Sequence, residues 1–365
     1  MVYIFSLLDL VPYIILVSIC IFLSNYKIKQ LSNSYLLYLI LLLFASVRYG
    51  IGYDYFAYRD FIELEAKDYV YERMEPLSLL FVNIAKSIKS TYLYFAFYSL
   101  IILYPIYYVS KHNSKVPALS LLLFLLYPSF FLDSMSIIRN AVAFSMIFLT
   151  YHFLKRKKII FSIIFFILAV MNHSSAYIGL FIFLFYYIHF SRKVYLIALI
   201  SSFIIGANLT NILSAVSSSN PILNAAYNYL FLYPKEVGSM KYLILLIGIF
   251  VFFCWNRLLK INPKNIVLLN YVGLGICFFF IFIKEDTLSY RLSNFFLLFL
   301  LLLLPEYINS QKTKTKKRLL VVGFFLSLFC FSFYINITGY LAKKTERMNY
   351  LPYQTIFYHK KYANY

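Results

Sequence analysis

Charge is scarce in this sequence of 365 residues. Asp, Glu, Lys and Arg together make up only 13% of it, whereas a soluble domain has about 25%. Hydrophobic residues make up 62%, and apolar runs of about 20 residues recur along the chain. The polar and apolar alternation typical of a membrane barrel is not seen. The composition therefore predicts an all-α, polytopic integral membrane protein.

Recognisable cofactor and cysteine patterns are also lacking. The four cysteines lie scattered inside apolar runs without any C-x-x-C, which predicts neither a zinc site nor a disulfide framework. No Walker A, H-E-x-x-H, G-x-S-x-G or G-x-G-x-x-G motif occurs, so we expect no metal and no other cofactor. The net charge of +20 is interpreted as membrane topology and lipid contacts rather than nucleic-acid binding.

The apolar runs predict about twelve transmembrane helices within a single transmembrane domain, residues 1–336. Segment 77–89 is apolar but too short to cross, and it fits an interfacial or re-entrant helix. The predicted spans lie near 3–23, 34–47, 91–109, 117–132, 137–154, 159–171, 174–190, 194–213, 241–258, 265–283, 288–304 and 319–336.

Lys and Arg residues predict the orientation of these spans. If 77–89 does not cross, most of the basic residues in short loops fall on one side, which the positive-inside rule assigns to the cytoplasm. Both termini, the loops 48–76 and 214–240, and the C-terminal tail 337–365 then face outward. We expect a multi-pass protein of the bacterial inner (cytoplasmic) membrane.

The segment RYGIGYD combines charge and glycine directly after an apolar run. Gly50 and Gly52 allow a tight turn, and its free N–H groups together with the Arg48 guanidinium suit an anion such as phosphate. Asp54 can take a proton or hold the arginine. The alternative is an interfacial pair of Arg48 and Asp54 that stops the span and turns the chain.

Arg139 and Asn140 begin an apolar helix at the outward side, in SIIRNAVAF. A charge in hydrocarbon costs about 2.5–3.5 kcal/mol on insertion scales, which favours a specific partner for it. We predict that Arg139 faces an anionic ligand. The alternative is an arginine that extends to the interface and pairs with Asp133.

Two further polar segments lie at outward ends of spans. MNHSSAYIG contains His173, a side chain suited to proton transfer near neutral pH, although the same residues also fit a helix-capping turn. TLSYRLSNFF begins a helix with Tyr290 and Arg291. The preceding Lys284, Glu285 and Asp286 are interpreted as a solvated loop rather than a metal pair. Arginines that bind phosphate and tyrosines that stack on sugars together favour a lipid-linked, phosphate-bearing sugar substrate.

Five short motifs, in this order, carry a family resemblance: RYGIGYDYFAY, MEPLS, IIRNAVA, NHSSA and YRLSNFF. Over about residues 48–300 the chain resembles the EpsG-type polysaccharide polymerases, relatives of the Wzy class. Asn140 stands where such proteins usually carry Gln. The resemblance implies a metal-independent membrane glycosyltransferase with a GT-C-like fold. It would join repeat units carried on a polyprenyl (undecaprenyl) diphosphate into a capsular, O-antigen or exopolysaccharide chain.

The resemblance also implies a role for each candidate residue of the site. Arg48, Arg139 and Arg291 would bind the diphosphate, and either His173 or Asp54 would deprotonate the acceptor hydroxyl; the sequence leaves that choice open. The partners would be the lipid-linked oligosaccharide, membrane lipids and a chain-length regulator. Residues expected to contact sugar or to support the site are Tyr53, Tyr55, Tyr58, Glu75, Asn140, Asn172 and Tyr290.

Two other functions stay open. Another lipid-linked-sugar glycosyltransferase or an O-antigen ligase would share the outward arginines but use a different acceptor. A polysaccharide flippase or exporter would need charged residues along a path through the membrane. The centres of the predicted spans are nearly free of charge, which disfavours the second class.

Overall fold

The computed structural model describes residues 7–25, 32–64, 74–217, 238, 240–311, 323, 328–335, 337 and 350–358. Within these ranges the chain is overwhelmingly helical, which confirms the all-α prediction. The chain divides into two compact units. The first consists of Met1–Tyr177 with Leu304–Tyr365, and the second of Ile178–Leu303.

The first unit is built around a long central helix, α5 (Thr91–Asn113), which packs against the helices before and after it. Two strands of two residues each, β1 and β2, pair within this unit, and residues 328–335 are helical. Its elements are a 3₁₀ helix at Leu7–Leu10, α1 (Val11–Asn25), α2 (Asn33–Ser46), β1 (Arg48–Tyr49), α3 (Tyr55–Glu63), α4 (Pro76–Ile88), α5 (Thr91–Asn113), α6 (Pro117–Leu126), α7 (Pro128–Ser136), α8 (Ile138–Lys155), α9 (Ile159–Asn172), a 3₁₀ helix beginning at Ser174 and β2 (Gln354–Thr355).

The predicted span 117–132 is two helices rather than one. Tyr127 has an extended backbone, with ψ of 111°, between α6 and α7. The residue before a proline is driven out of the helical region, and Pro128 has no N–H to continue the ladder of hydrogen bonds. The Tyr127–Pro128 step therefore ends one helix and starts the next. Hydropathy alone does not show this break, because the residues on both sides of it are apolar.

Helix α4 confirms that the segment predicted at 77–89 is helical. Pro76 occupies its first turn, and Lys89 ends it in a left-handed conformation with φ of 54°. Thirteen residues rise about 20 Å, short of the roughly 30 Å of a hydrocarbon core. The interfacial or re-entrant placement of this helix stays a prediction.

The second unit gathers its helices around α13. This helix packs against α10, α11, α12 and α14, and the rings of Phe203 and Phe280 stack at 3.8 Å between α11 and α13. A Cβ on Gly206 would lie 1.9 Å from the Phe280 carbonyl oxygen, so only glycine fits that crossing. The helices are α10 (Leu180–Tyr187), α11 (Arg192–Ser217), α12 (Met240–Ile261), α13 (Asn265–Ile281) and α14 (Asp286–Leu297); α15 (Leu300–Asn309) begins in this unit.

Three helices in the described part of the chain are long and apolar enough to cross a membrane: α5, α11 and α12. The number rises to five if α6 with α7, and α14 with α15, each count as one bent span. The predicted count of about twelve spans and the GT-C-like architecture stay predictions. Of the predicted loop 214–240, residues 214–217 belong to α11, whereas 218–237 and 239 lie outside the described residues.

Candidate functional site

The RYGIGYD segment forms a tight turn docked on the end of α7. Gly50 and Gly52 have φ of +67° and +102°, as the predicted turn requires. A Cβ on Gly52 would lie 2.2 Å from the Met135 carbonyl oxygen. The Tyr53 N–H donates to Ser136 Oγ at 2.8 Å. Both glycines therefore allow a backbone with positive φ, and Gly52 also allows the turn to lie close to the backbone of Met135.

Arg48 lies in an enclosed site that we call the Arg48 pocket, formed with Tyr55, Phe95, Ser99 and Tyr353. Its side chain is buried, with the guanidinium 4.7 Å from the Phe95 ring centroid. Nη1 donates to Ser99 Oγ at 3.0 Å and also to the Ala45 carbonyl oxygen. Burial lowers the pKa of Arg48 to about 10, so it stays protonated at neutral pH. Nε and Nη2 have no hydrogen-bond partner among the described residues.

Residues 350–358 close this pocket from the far end of the sequence. Strand β2 pairs antiparallel with β1, with Arg48 opposite Thr355. The Ile356 N–H donates to the Val47 carbonyl oxygen at 2.9 Å, and the Tyr353 ring stacks on Phe44 at 4.0 Å. This part of the predicted tail 337–365 is thus an integral part of the first unit and lies beside the 48–54 turn.

Arg139 forms a mostly buried ion pair with Glu75. Its Nη1 lies 2.7 Å from Glu75 Oε2, and the two side chains are 18% and 15% exposed. Glu75 Oε1 accepts a second hydrogen bond from the Ser174 N–H at 2.8 Å. One carboxylate therefore ties together the starts of α4 and α8 and the turn after α9. This pair replaces the alternative in which Arg139 pairs with Asp133.

The environment of Glu75 favours its ionised form. Burial alone raises the pKa of the carboxyl group. The hydrogen bond from the Ser174 N–H and the charge of Arg139 outweigh burial, so the pKa of Glu75 falls below its usual 4.5. The pair is therefore a carboxylate and a guanidinium at neutral pH.

Asp54, Tyr58 and His173 complete a group that we call the Arg139 cluster, together with Arg139 and Glu75. Asp54, just before α3, interacts electrostatically with Arg139, and His173 does so with Glu75. Tyr58 is buried, and burial raises the pKa of its phenol although the neighbouring Arg139 opposes this. Segments far apart in sequence thus bring one arginine, two acids, a phenol and an imidazole together.

His173 is held by a short relay of hydrogen bonds. It ends α9, with its backbone N–H donating to the Ala169 carbonyl oxygen at 3.0 Å. The α-helix that follows, α10, starts after Gly179 without a side-chain cap, so the expected Ser or Asn cap is not found on it. His173 Nδ1 lies 3.1 Å from the Ser175 backbone nitrogen and 2.7 Å from Ser175 Oγ. Asn140 Nδ2 in turn donates to Ser175 Oγ at 2.8 Å. Asn140 therefore supports the imidazole from the first turn of α8.

The remaining predicted residues of the first unit differ in exposure. Of the three predicted tyrosines, Tyr53 is exposed, whereas Tyr55 and Tyr58 are buried. Asn172 is also buried, and its Nδ2 donates to the Leu168 carbonyl oxygen at 2.9 Å. Tyr53 is therefore the one of these tyrosines whose ring is accessible to a sugar.

Tyr290 and Arg291 lie on α14 in the second unit. The Tyr290 ring contacts Phe279 edge-on, with centroids 5.7 Å apart, and Arg291 Nε is buried without a hydrogen-bond partner among the described residues. Glu285 is buried rather than solvated, because its Oε2 accepts from the Leu288 N–H at 2.8 Å and caps α14. The expectation of a solvated 284–286 loop was wrong for Glu285.

Sequence reasoning missed several supporting residues. Ser99, Ser136 and Tyr353 meet their partners from distant segments, and no local pattern marks them. Ser175 did carry a signal, because it lies beside His173 in the polar motif NHSSA. In the part of the chain that the structure describes, no group of three or more His, Cys, Asp or Glu side chains could hold a metal ion.

Comparison with known proteins places the chain in a family. No curated protein sequence and no solved structure matches it. The family model described as the EpsG family matches residues 33–355, most of the chain. The match runs from the first residue of α2 to the last residue of β2. It includes both the Arg48 pocket and the Arg139 cluster and confirms the resemblance seen in the five motifs. The chain belongs to the EpsG family.

Proposed function

We propose that this membrane protein polymerises oligosaccharide repeat units carried on a polyprenyl diphosphate, at the outer leaflet of the bacterial inner membrane. Membership of the EpsG family supports a role in polysaccharide polymerisation. The observation that carries the finer proposal is the Arg139 cluster. There, a guanidinium lies among two carboxylates and an imidazole, at the joint of α4, α8 and the turn after α9.

The chemistry of the transfer needs these groups. The acceptor hydroxyl oxygen forms a bond to the anomeric carbon of the growing chain, and the bond from that carbon to the diphosphate oxygen breaks. The departing diphosphate gains negative charge, which Arg139 is placed to stabilise. The hydroxyl proton passes to a base, and Asp54 and His173 are the two candidates in the cluster.

Arg48 and Arg291 are the other two arginines that we propose as diphosphate ligands. Arg48 is protonated, and two of its buried nitrogens have no hydrogen-bond partner among the described residues, which favours an anion as that partner. It can reach such an anion only when residues 350–358 move away from β1. Arg291, on α14 of the second unit, likewise has a buried Nε with no partner in the part of the chain that the structure describes.

Tyr53, with its exposed ring, is the proposed sugar contact of the 48–54 turn. Tyr290 is the proposed contact on α14, and Asn172 supports the turn that carries His173 because its backbone carbonyl oxygen accepts from Ser78 Oγ at 2.9 Å. We place both termini outward and expect a metal-independent reaction. A regulator of chain length is a proposed partner.

Reconstitution of the purified chain in liposomes tests the proposal. With a polyprenyl-diphosphate-linked repeat unit as the substrate and a chelator present, we expect a ladder of products that grow by whole repeat units. Transfer of one unit to a different acceptor would indicate a ligase or another glycosyltransferase instead. Movement of the unit across the bilayer without elongation would indicate a flippase.

Arg139→Lys is the first variant to compare in this assay, with Arg59→Lys as its control. Arg59 lies on α3, is more exposed and pairs with Asp60 at 2.8 Å. Lysine keeps the charge but loses the bidentate geometry that phosphate favours. We expect shorter and fewer products from the first variant only. Equal activity of the two variants would contradict a role of Arg139 in diphosphate binding.

A further inference from the structure

The protonation of the His173 ring can be read from its partners. A peptide N–H can only donate a hydrogen bond, and the Ser175 N–H lies 3.1 Å from His173 Nδ1. Nδ1 must therefore accept, so it carries no proton. The neutral imidazole then has its proton on Nε2.

The second contact of Nδ1 agrees with this reading. Ser175 Oγ lies 2.7 Å from Nδ1 and accepts a hydrogen bond from Asn140 Nδ2 at 2.8 Å. With Asn140 donating to Oγ, the hydroxyl proton is left to point at Nδ1. Asn140 is 1% exposed, so its amide is held in a packed environment at the start of α8. Two donors thus converge on one ring nitrogen.

We propose that His173 acts as a hydrogen-bond donor through Nε2 and that Ser175 and Asn140 are positioning residues that fix this tautomer. The proposal rests on the proposed polymerase function and deepens it. An imidazole with its proton on Nε2 cannot take another proton there. Protonation of Nδ1 would turn it into a donor facing the Ser175 N–H. His173 is therefore poorly arranged as a base.

Asp54 and His173, which the sequence left as alternative bases, then have different roles. The acceptor hydroxyl loses its proton to the Asp54 carboxylate as its oxygen bonds to the anomeric carbon. The electron pair of the breaking bond leaves with the diphosphate oxygen. His173 keeps its proton and donates a hydrogen bond to that oxygen, beside Arg139, so no net proton transfer involves the imidazole.

Two amide substitutions distinguish a donor from a base. The side-chain N–H of glutamine reaches the place of Nε2, whereas that of asparagine reaches only the place of Nδ1. We expect His173→Ala and His173→Asn to lower the polymerisation rate about 10²–10³-fold, the usual loss for one such donor. We expect His173→Gln to lower it far less. A glutamine variant as inactive as the alanine variant would overturn the donor role.

Ser175 provides a test of positioning. We expect Ser175→Ala to lower the rate and Ser175→Thr, which restores a hydroxyl, to recover most of it. Tyr177→Phe, at a 61% exposed residue of the same short 3₁₀ helix, is the matched control and should leave the rate unchanged. Failure of threonine to recover activity beyond the alanine variant would argue against the hydroxyl relay.

Nitrogen-15 NMR of the histidine-labelled full chain in lipid bilayers reads the tautomer without any substrate. The chain has five histidines, and subtraction of the His173→Gln spectrum identifies the signals of His173. We expect an unprotonated Nδ1 and a protonated Nε2, and the reverse pattern would overturn the proposal. If the wild-type chain elongates no lipid-linked oligosaccharide, the polymerase function fails, whereas this spectrum still decides the tautomer.

Discussion

Arg48 and Arg139 are both charged residues near the ends of helices, yet the protein surrounds them in opposite ways. Arg139 is partly exposed and paired with an ionised carboxylate. Arg48 is buried among rings and carbonyl groups and, in the described part of the chain, has no carboxylate partner. In the Arg139 cluster the guanidinium is therefore paired with a carboxylate, whereas the Arg48 pocket encloses a guanidinium without one among the described residues.

The two arginines should therefore differ in what their removal does to stability. A pair of opposite charges loses stability when one member is removed, because the other is left buried and unpaired. A buried guanidinium with unsatisfied nitrogens is already unfavourable, so an apolar side chain of similar size can replace it with little loss of stability.

Arg139→Met should have the largest effect. It removes the charge that we propose stabilises the departing diphosphate, so we expect about a 10²–10³-fold loss of polymerisation, measured with a lipid-linked repeat unit. It also leaves Glu75 unpaired, which should lower the free energy of unfolding by about 3 kcal/mol. Glu75→Gln combined with Arg139→Met should recover part of that stability but not the activity. No recovery in the double variant would contradict the pairing.

Gly52→Ala should disrupt the turn that both regions share. The new Cβ would meet the Met135 carbonyl oxygen, and φ of +102° is unfavourable for alanine. We expect a loss of more than about 2 kcal/mol in the free energy of unfolding. Gly238→Ala is the control, because no described residue has an atom within 4 Å of its Cβ position. Similar thermal unfolding of the two variants would show that the docking of Gly52 on α7 is wrong.

Tyr353→Ala should open the Arg48 pocket without touching the Arg139 cluster. It removes the ring stacked on Phe44 and the hydrogen bond to the Phe44 carbonyl oxygen. We expect a loss of about 2 kcal/mol of stability and faster modification of Arg48 by an arginine-specific reagent such as phenylglyoxal. Tyr358→Ala, at a 79% exposed residue of the same segment, should change neither measurement.

Glu75→Gln should weaken the Arg139 cluster in a pH-dependent way. The pKa of Glu75 is lowered in the folded state, so its carboxylate contributes stability above its usual pKa of 4.5. That contribution is lost as the pH falls through the folded-state pKa. We expect the variant to be about 1–2 kcal/mol less stable than the wild type at pH 7. The difference in melting temperature should shrink below pH 4.5, and a constant difference would contradict the pKa shift.

Arg48→Met should have the smallest effect on stability, within about 1 kcal/mol of the wild type. Methionine fills much of the space of the arginine stem against Phe95, and two unsatisfied nitrogens disappear. The melting temperature, measured beside that of Arg139→Met, checks this directly. A loss as large as that of Arg139→Met would show that both arginines are held by equally important partners and would remove the contrast between them.

The sequence predicted the parts of the molecule that depend on local patterns. The helix expected at 34–47 is found at Asn33–Ser46, and the short one at 77–89 is found at Pro76–Ile88. The need for Gly50 and Gly52 was also visible, because glycines between a charge and an apolar run indicate a turn. The membership of the EpsG family followed from short motifs kept in order.

Long-range partners could not be predicted in this way. Glu75 and Arg139 lie 64 residues apart, and no periodicity links the start of α4 to the start of α8. Strands of two residues are too short to show an alternation of polar and apolar residues. The pairing of β1 with β2 therefore could not be predicted from the sequence. The proposed choice of Asp54 over His173 as the base depends on which ring nitrogen accepts a hydrogen bond, and the sequence does not show that contact.

The pairing of β2 with β1 has a consequence for biosynthesis. Tyr353 and Phe44 are 309 residues apart, so the ribosome must make nearly all of the matched family region before these two rings can meet. At about 5–20 residues per second, that interval is on the order of tens of seconds. During this time a nascent chain already inserted in the membrane holds Arg48 uncovered. Synthesis of residues 350–358 is then the step that allows Arg48 to be covered, and a translation arrest before it would leave this arginine without that cover.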